Sequence, residues 1–160
     1  MACICGDGSA LPSGFLFAAA NKALQSSWVE DIGDTKHQVH VSSSPNGWTT
    51  NDMGLAWLEQ VFDRYTKAKA GRSYQLLILD GHGSHLTMDF INYCDQNRIL
   101  LMVFTPHSIR TLQPLDVVMF KHLSSAYSDA LTKHLHNAQG LVSVKKWDFF
   151  VCSGGLDPSL

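Results

Sequence analysis

The sequence predicts an α/β domain with a mixed sheet and flanking helices, and three observations predict it. Two apolar runs, "YQLLILD" ending at Asp80 and "ILLMVF" over 99–104, read as strands buried on both faces, the mark of central parallel strands. Around them apolar residues recur at helical spacing, at Met53, Leu55, Leu58, Phe62 and Tyr65, then at Leu86, Phe90, Ile91 and Cys94. Ahead of them, short alternating runs separated by turn formers read as an antiparallel meander. Strand, helix, strand, helix in that order predicts a right-handed parallel crossover.

The meander begins with "ACICG" and "GFLFAA", separated by "DGSALPS". Cys3 and Cys5 alternate along the first run and so share a face. "QVHVS" (38–42) reads as another short strand, and "SSSPNG" as a loop after which Thr49 or Thr50 caps the first long helix. "AKAGRS" ends that helix. After Asp80, Gly81 and Gly83 let the backbone turn sharply, and Ser84 or Thr87 caps "LTMDFINYCDQN". "TPHSIRTL" is a loop before "QPLDVVMFKHLSSAYSDALTKHL", the longest helical pattern, where Pro114 suits the first turn. The domain is expected over residues 1–135, with 136–160 a C-terminal extension, partly helical near 143–150 and otherwise loose.

Composition excludes several classes. A chain of 160 residues is one domain by length, and 45% hydrophobic with 16% charged residues fits a folded chain. No apolar run approaches the roughly 20 residues of a membrane span, so no membrane partner is expected. The opening "MACICGDGSALPSG" lacks the basic flank and apolar core of a secretory signal, which predicts an intracellular protein. The four cysteines form no C-x-x-C pair, against a zinc ribbon or disulfide scaffold. With net charge −2, any attraction to nucleic acid must be local.

The chemistry centres on two acids. Asp80 leaves the carboxyl end of a buried strand, where α/β sheets present ligands. Its plain alternative is a strand-to-helix turn and nothing more. Asp116 in "LQPLDVV" falls in a first helical turn, where the helix dipole favours an anion, so an ordinary capping acid is its plain reading. Yet Asp116, Phe120, Leu123 and Tyr127 share one helical face, and three of them are apolar. Carboxylates from a strand end and a helix start, aimed at one spot, suit a divalent cation with oxygen ligands. Two such cations clamp the attacking and leaving oxygens of phosphoryl transfer, and a third acid usually completes the set.

Among eight histidines, His82, His85 and His107 lie near these acids. A two-histidine zinc site is the weaker use for them, and contacts to the pocket or to phosphate the stronger. Ser84 and Gln113 sit in the same two turns. The basic residues Lys67, Lys69, Arg72, Arg98, Lys121, Lys145 and Lys146 are scattered, each more often a solvated charge than a phosphate contact. Arg110, in the loop leading into Asp116, is the one expected to face DNA.

"LLILDGHGSHLTMDFINYCDQNRILLMVFTPHSIRTLQPLDVVMF" resembles the DDE-superfamily endonuclease domain of pogo/Tigger-type, centromere protein B-like transposases. Upstream, "CGDGSALP", "SSWVEDI" and "SPNGWTTNDMGLAWLEQVFDRYT" resemble the same domain, so the likeness covers residues 1 to about 150. D-G-H-G-S-H and L-Q-P-L-D, with 35 residues between Asp80 and Asp116, are its most specific part. The loop departs from the family's pattern at Thr105, Ile109, Arg110 and Thr111.

The resemblance implies a ribonuclease H-like fold, a DNA partner, nuclear location, and three acids holding Mg2+ (or Mn2+) to cut and join transposon DNA. Asp80 matches the second acid and Asp116 the third. The family's first acid stands in a strand ahead of the stretch matched by "ACICGDG", and Asp7 falls instead in the turn that the family also fills with Asp-Gly. The chain as given is therefore expected to lack the first, central strand and the helix-turn-helix region, and to be inactive alone. Unpaired edges and apolar sheet faces are expected with it, leaving the chain poorly stable, rearranged, or borrowing a strand. A domesticated or decayed remnant that binds DNA or protein without catalysis is the alternative. "LILDGHGS" also resembles the turn of manganese-dependent Ser/Thr phosphatases, but their further aspartate motifs are missing and the Q-P-L-D helix has no place among them.

Overall fold

Thr50 stands in extended backbone, and its hydroxyl accepts from the Met53 amide at 3.4 Å, starting α1 (Asn51–Trp57) where the sequence puts a cap. The helix widens into a π segment, Leu58–Asp63, and resumes as α2 (Arg64–Ala70). A π turn takes up an extra residue, so the inward face gathers Leu58, Val61, Phe62 and also Asp63, all buried. Gly71, at φ +58°, stops α2 within "AKAGRS".

The computed structural model describes residues 1–21, 23–28, 38–80, 86–104, 115, 120–137 and 143–144. Contacts divide the chain into two compact units, Met1–Leu24 with His37–Ile109, and Gln25–Lys36 with Arg110–Leu160.

In the first unit β3 (Gln75–Leu79) and β4 (Ile99–Val103) pair in parallel, with Leu77 opposite Leu101. Between them in sequence runs α3 (Met88–Gln96), capped by Thr87, whose hydroxyl accepts from the Phe90 amide at 3.3 Å. Leu58, Val61, Phe62, Leu77, Phe90, Cys94 and Ile99 form the core, with Cys3 and Cys5 both packed against it as their alternation predicts.

The sheet corrects one expectation. Leu77 is 3% exposed, but its neighbours Leu76 and Ile78 are 58% and 46% exposed, and Leu100 and Met102 on β4 are equally open. Helices cover one face of this two-stranded sheet, and apolar side chains line both. A continuous apolar run states what a strand carries, and the packed layers decide how much of it is covered. Open apolar sheet surface was expected, and this is where it lies.

The meander is also altered. β1 (Ser13–Ala18) and β2 (Val39–Ser44) pair in parallel, Phe15 opposite Val41. Among the described residues, antiparallel pairing is confined to the hairpin before them, with a bridge between Ile4 and Ala10. There the Leu11 amide donates to the Cys3 carbonyl at 3.0 Å, and the Gly14 amide to the Met1 carbonyl at 2.7 Å. The Asp7–Gly8 turn closes that hairpin locally, with Gly8 at φ +84°. β1 finds its other partner across twenty residues of sequence, beyond the reach of turn chemistry.

Among its described residues the second unit holds a 3-10 turn, Ser26–Trp28, with Trp28 buried, and α4 (Phe120–Asn137), part of the expected long helix. No side chain of α4 is buried, and Phe120 and Leu123 are exposed.

Candidate catalytic strand end

The Leu79 carbonyl accepts the Phe104 amide at 3.0 Å, carrying the parallel ladder one step beyond Val103. Asp80 follows directly and is half-buried. Its backbone is thus anchored on a strand held by its neighbour, at the sheet end where parallel strands leave a crevice for ligands. An ionised carboxylate there offers hard oxygen donors and suits a divalent cation better than a soft metal.

One carboxylate does not complete a coordination shell. Among the described residues no group of three or more His, Cys, Asp or Glu comes together to hold a metal. Asp116, His82, Ser84, His85, His107, Arg110 and Gln113 lie outside the described residues, as do Gly81, Gly83 and Pro114. Asp80 is therefore the one predicted site residue with a described position.

Asp7 is otherwise engaged. Its carboxylate accepts the Ser9 amide at 2.9 Å and the Ser9 hydroxyl at 2.6 Å, and pairs with Lys69 at 2.9 Å. The Ser9 hydroxyl foremost, then Lys69, holds it well below the usual carboxylate range. This acid shapes its turn, as read from the Asp-Gly sequence.

Two thiols, those of Cys3 and Cys94, are poor nucleophiles. Burial first, then the nearby Cys5, pushes Cys3 up to about 11; burial, then Asp95, does the same to Cys94.

Sequence reasoning missed Asp63. Only 4% exposed, it accepts Gln75 Nε2 at 3.2 Å and Tyr93 Oη at 3.1 Å, and pairs with Lys67 Nζ at 3.1 Å. Thr66 donates to the Gln75 side-chain carbonyl and ties α2 to the start of β3. The i, i+4 spacing of Asp63 and Lys67 was the available signal, but such pairs are usually solvated. Burial comes from the π segment, which no helical periodicity announces.

A family model described as the DDE superfamily endonuclease matches residues 1–149. A Cochliobolus lunatus protein named "MFS-type transporter clz9" is 43% identical over 103 residues, 64% of this chain and 11% of that protein. A mouse protein named "Pogo transposable element with KRAB domain" is 38% identical over 81 residues, 50% of this chain and 13% of that protein. The matches thus span 11% and 13% of these curated relatives. Among the described residues no helix is long and apolar enough to cross a membrane. No solved structure matches the chain.

Proposed function

Because this chain belongs to the DDE superfamily endonucleases, we propose that Asp80 and Asp116 are two carboxylates of a DNA strand-cleavage and transfer site of the transposase type. DDE endonucleases generally use divalent metals, and Mg2+ or Mn2+ is the cation assigned to this pair. Such ions, when bound, stabilise the attacking and leaving oxygens of a phosphodiester. Asp80 contributes a ligand held rigid by β3, and Asp116 one from the Q-P-L-D motif. His82, Ser84, His85, His107, Arg110 and Gln113 line the approach or contact phosphate. The fold is ribonuclease H-like and the location nuclear.

A third acid matching the family's first has no counterpart in residues 1–160, so this stretch by itself cleaves negligibly. The observation that carries the reading is the position of Asp80, at the carboxyl end of a parallel strand inside a family match covering nearly the whole sequence.

Paramagnetic broadening by Mn2+ tests it. Amide signals around residues 80 and 116 should broaden together, and Asp80→Asn or Asp116→Asn should weaken binding at least tenfold. Broadening that ignores both substitutions would refute the assignment.

A further inference from the structure

A cavity of about 160 Å³ opens between the end of α2 and the turn joining α3 to β4. Its wall includes Lys67, Ser73, Gln75, Gln96, Asn97 and Arg98, and none of its lining side chains is acidic. Gln75 begins the strand that Asp80 follows, so the cavity lies at the other end of β3, roughly 16 Å away at the usual rise of a strand.

The cavity is rich in unused donors. Lys67 gives one N–H to Asp63 at 3.1 Å and one to Asn97 at 3.1 Å, leaving its third without an acceptor among the described residues. Arg98 gives one N–H to the Arg72 carbonyl at 2.9 Å, leaving four without an acceptor among the described residues. Asp63 offsets the Lys67 charge, so the free positive charge is chiefly that of Arg98.

The backbone of Arg98 is strained as well. It is the one non-glycine residue with positive φ, +58°, among the described residues. It follows Asn97, the C-cap of α3, where glycine is the ordinary occupant because it has no Cβ to strain. An arginine here holds an unfavourable conformation that glycine would adopt freely. Such strain gathers at functional sites.

We propose that this cavity binds a phosphate group, and that the group is a phosphodiester of the DNA backbone held away from the catalytic end of the sheet. The choice of DNA over a small phosphate rests on the endonuclease reading; phosphate binding itself does not. The guanidinium supplies a planar donor fork, and Lys67 with the Ser73, Gln96 and Asn97 side chains supplies single donors around it.

The test uses the full chain and Arg98→Gly, which relieves the backbone strain while removing the charge, with Arg98→Lys as the conservative variant. Inorganic phosphate should shift the amide resonances of Ser73, Asn97 and Arg98, and Arg98→Gly should abolish those shifts. A short labelled duplex should bind Arg98→Gly about tenfold more weakly at low salt, with the slope of log K against log salt reduced by about 1. Tm should hold or rise, and Arg98→Lys, which keeps the charge but not the donor fork, should recover part of the binding. Phosphate shifts with unchanged duplex affinity would overturn the DNA assignment in favour of a small phosphate. Absence of both effects, or a loss of binding matched by a fall in Tm, overturns the site itself. If Asp80→Asn abolishes Mn2+ binding while Arg98→Gly binds duplex normally, this inference fails alone; dependence on Arg98 without a cation at Asp80 sustains it and sinks the endonuclease reading.

Discussion

Tyr93 donates its phenol hydrogen to Asp63 at 3.1 Å, joining α3 to the end of the π segment across 30 residues of sequence. Gln75 and Lys67 reach the same carboxylate, so one buried anion ties two helices and a strand. Removing it strands the donors around it. Asp63→Ala should cost about 2–4 kcal/mol, and Tyr93→Phe about 1 kcal/mol, in urea unfolding. Equal losses from the two would show that the carboxylate is not the hub.

The same contact sets a pH response. Burial, then the Asp63 carboxylate, raises Tyr93 to about 12, while Cys3 and Cys94 rise to about 11. A folded value above the unfolded one means the native state holds its proton longer. Stability from these groups is fully present below about pH 9 and is lost from there to about pH 12. Tyr93→Phe should flatten the upper part of that decline, between about pH 10 and 12, in unfolding curves measured at each pH.

The two faces of the β3–β4 sheet should answer mutation differently. Leu77→Ala, in the core, should cost about 2–5 kcal/mol. Leu76→Thr and Ile78→Thr, on the open face, should change unfolding by less than about 1 kcal/mol while lowering dye binding to exposed apolar surface. Comparable destabilisation at Leu76 and Leu77 would mean that the outer face is covered in solution.

For cleavage, residues 1–160 with Mg2+ should nick supercoiled plasmid no faster than buffer. Robust nicking that disappears in Asp80→Ala would reverse the expectation of inactivity and strengthen the assignment of Asp80.

Much of this protein is written in short-range pattern. Thr50 and Thr87 cap the helices they precede, because a hydroxyl before an apolar period satisfies a free amide two or three residues on. The apolar runs ending at Leu79 and Val103 become parallel partners, and the family match bears out the resemblance read from the D-G-H-G-S-H and L-Q-P-L-D motifs. The position of Asp80 was legible, because the end of an apolar strand is an abrupt place for a charge. Asp63 was not, since an acid four residues before a lysine on a helix looks the same whether solvated or buried.

By itself, the sequence determined the helices and strands from Asn51 to Val103, where two helices start, and to which family the chain belongs. Each depends on residues a few positions apart or on ordered motifs. Tertiary structure alone decided that β1 lies parallel to β2, that among the described residues helices cover one face of β3 and β4, and that Arg98 shares a cavity with Lys67. Those outcomes rest on which distant surfaces meet, and burial, charge pairing and backbone strain acquire their energies only when they do.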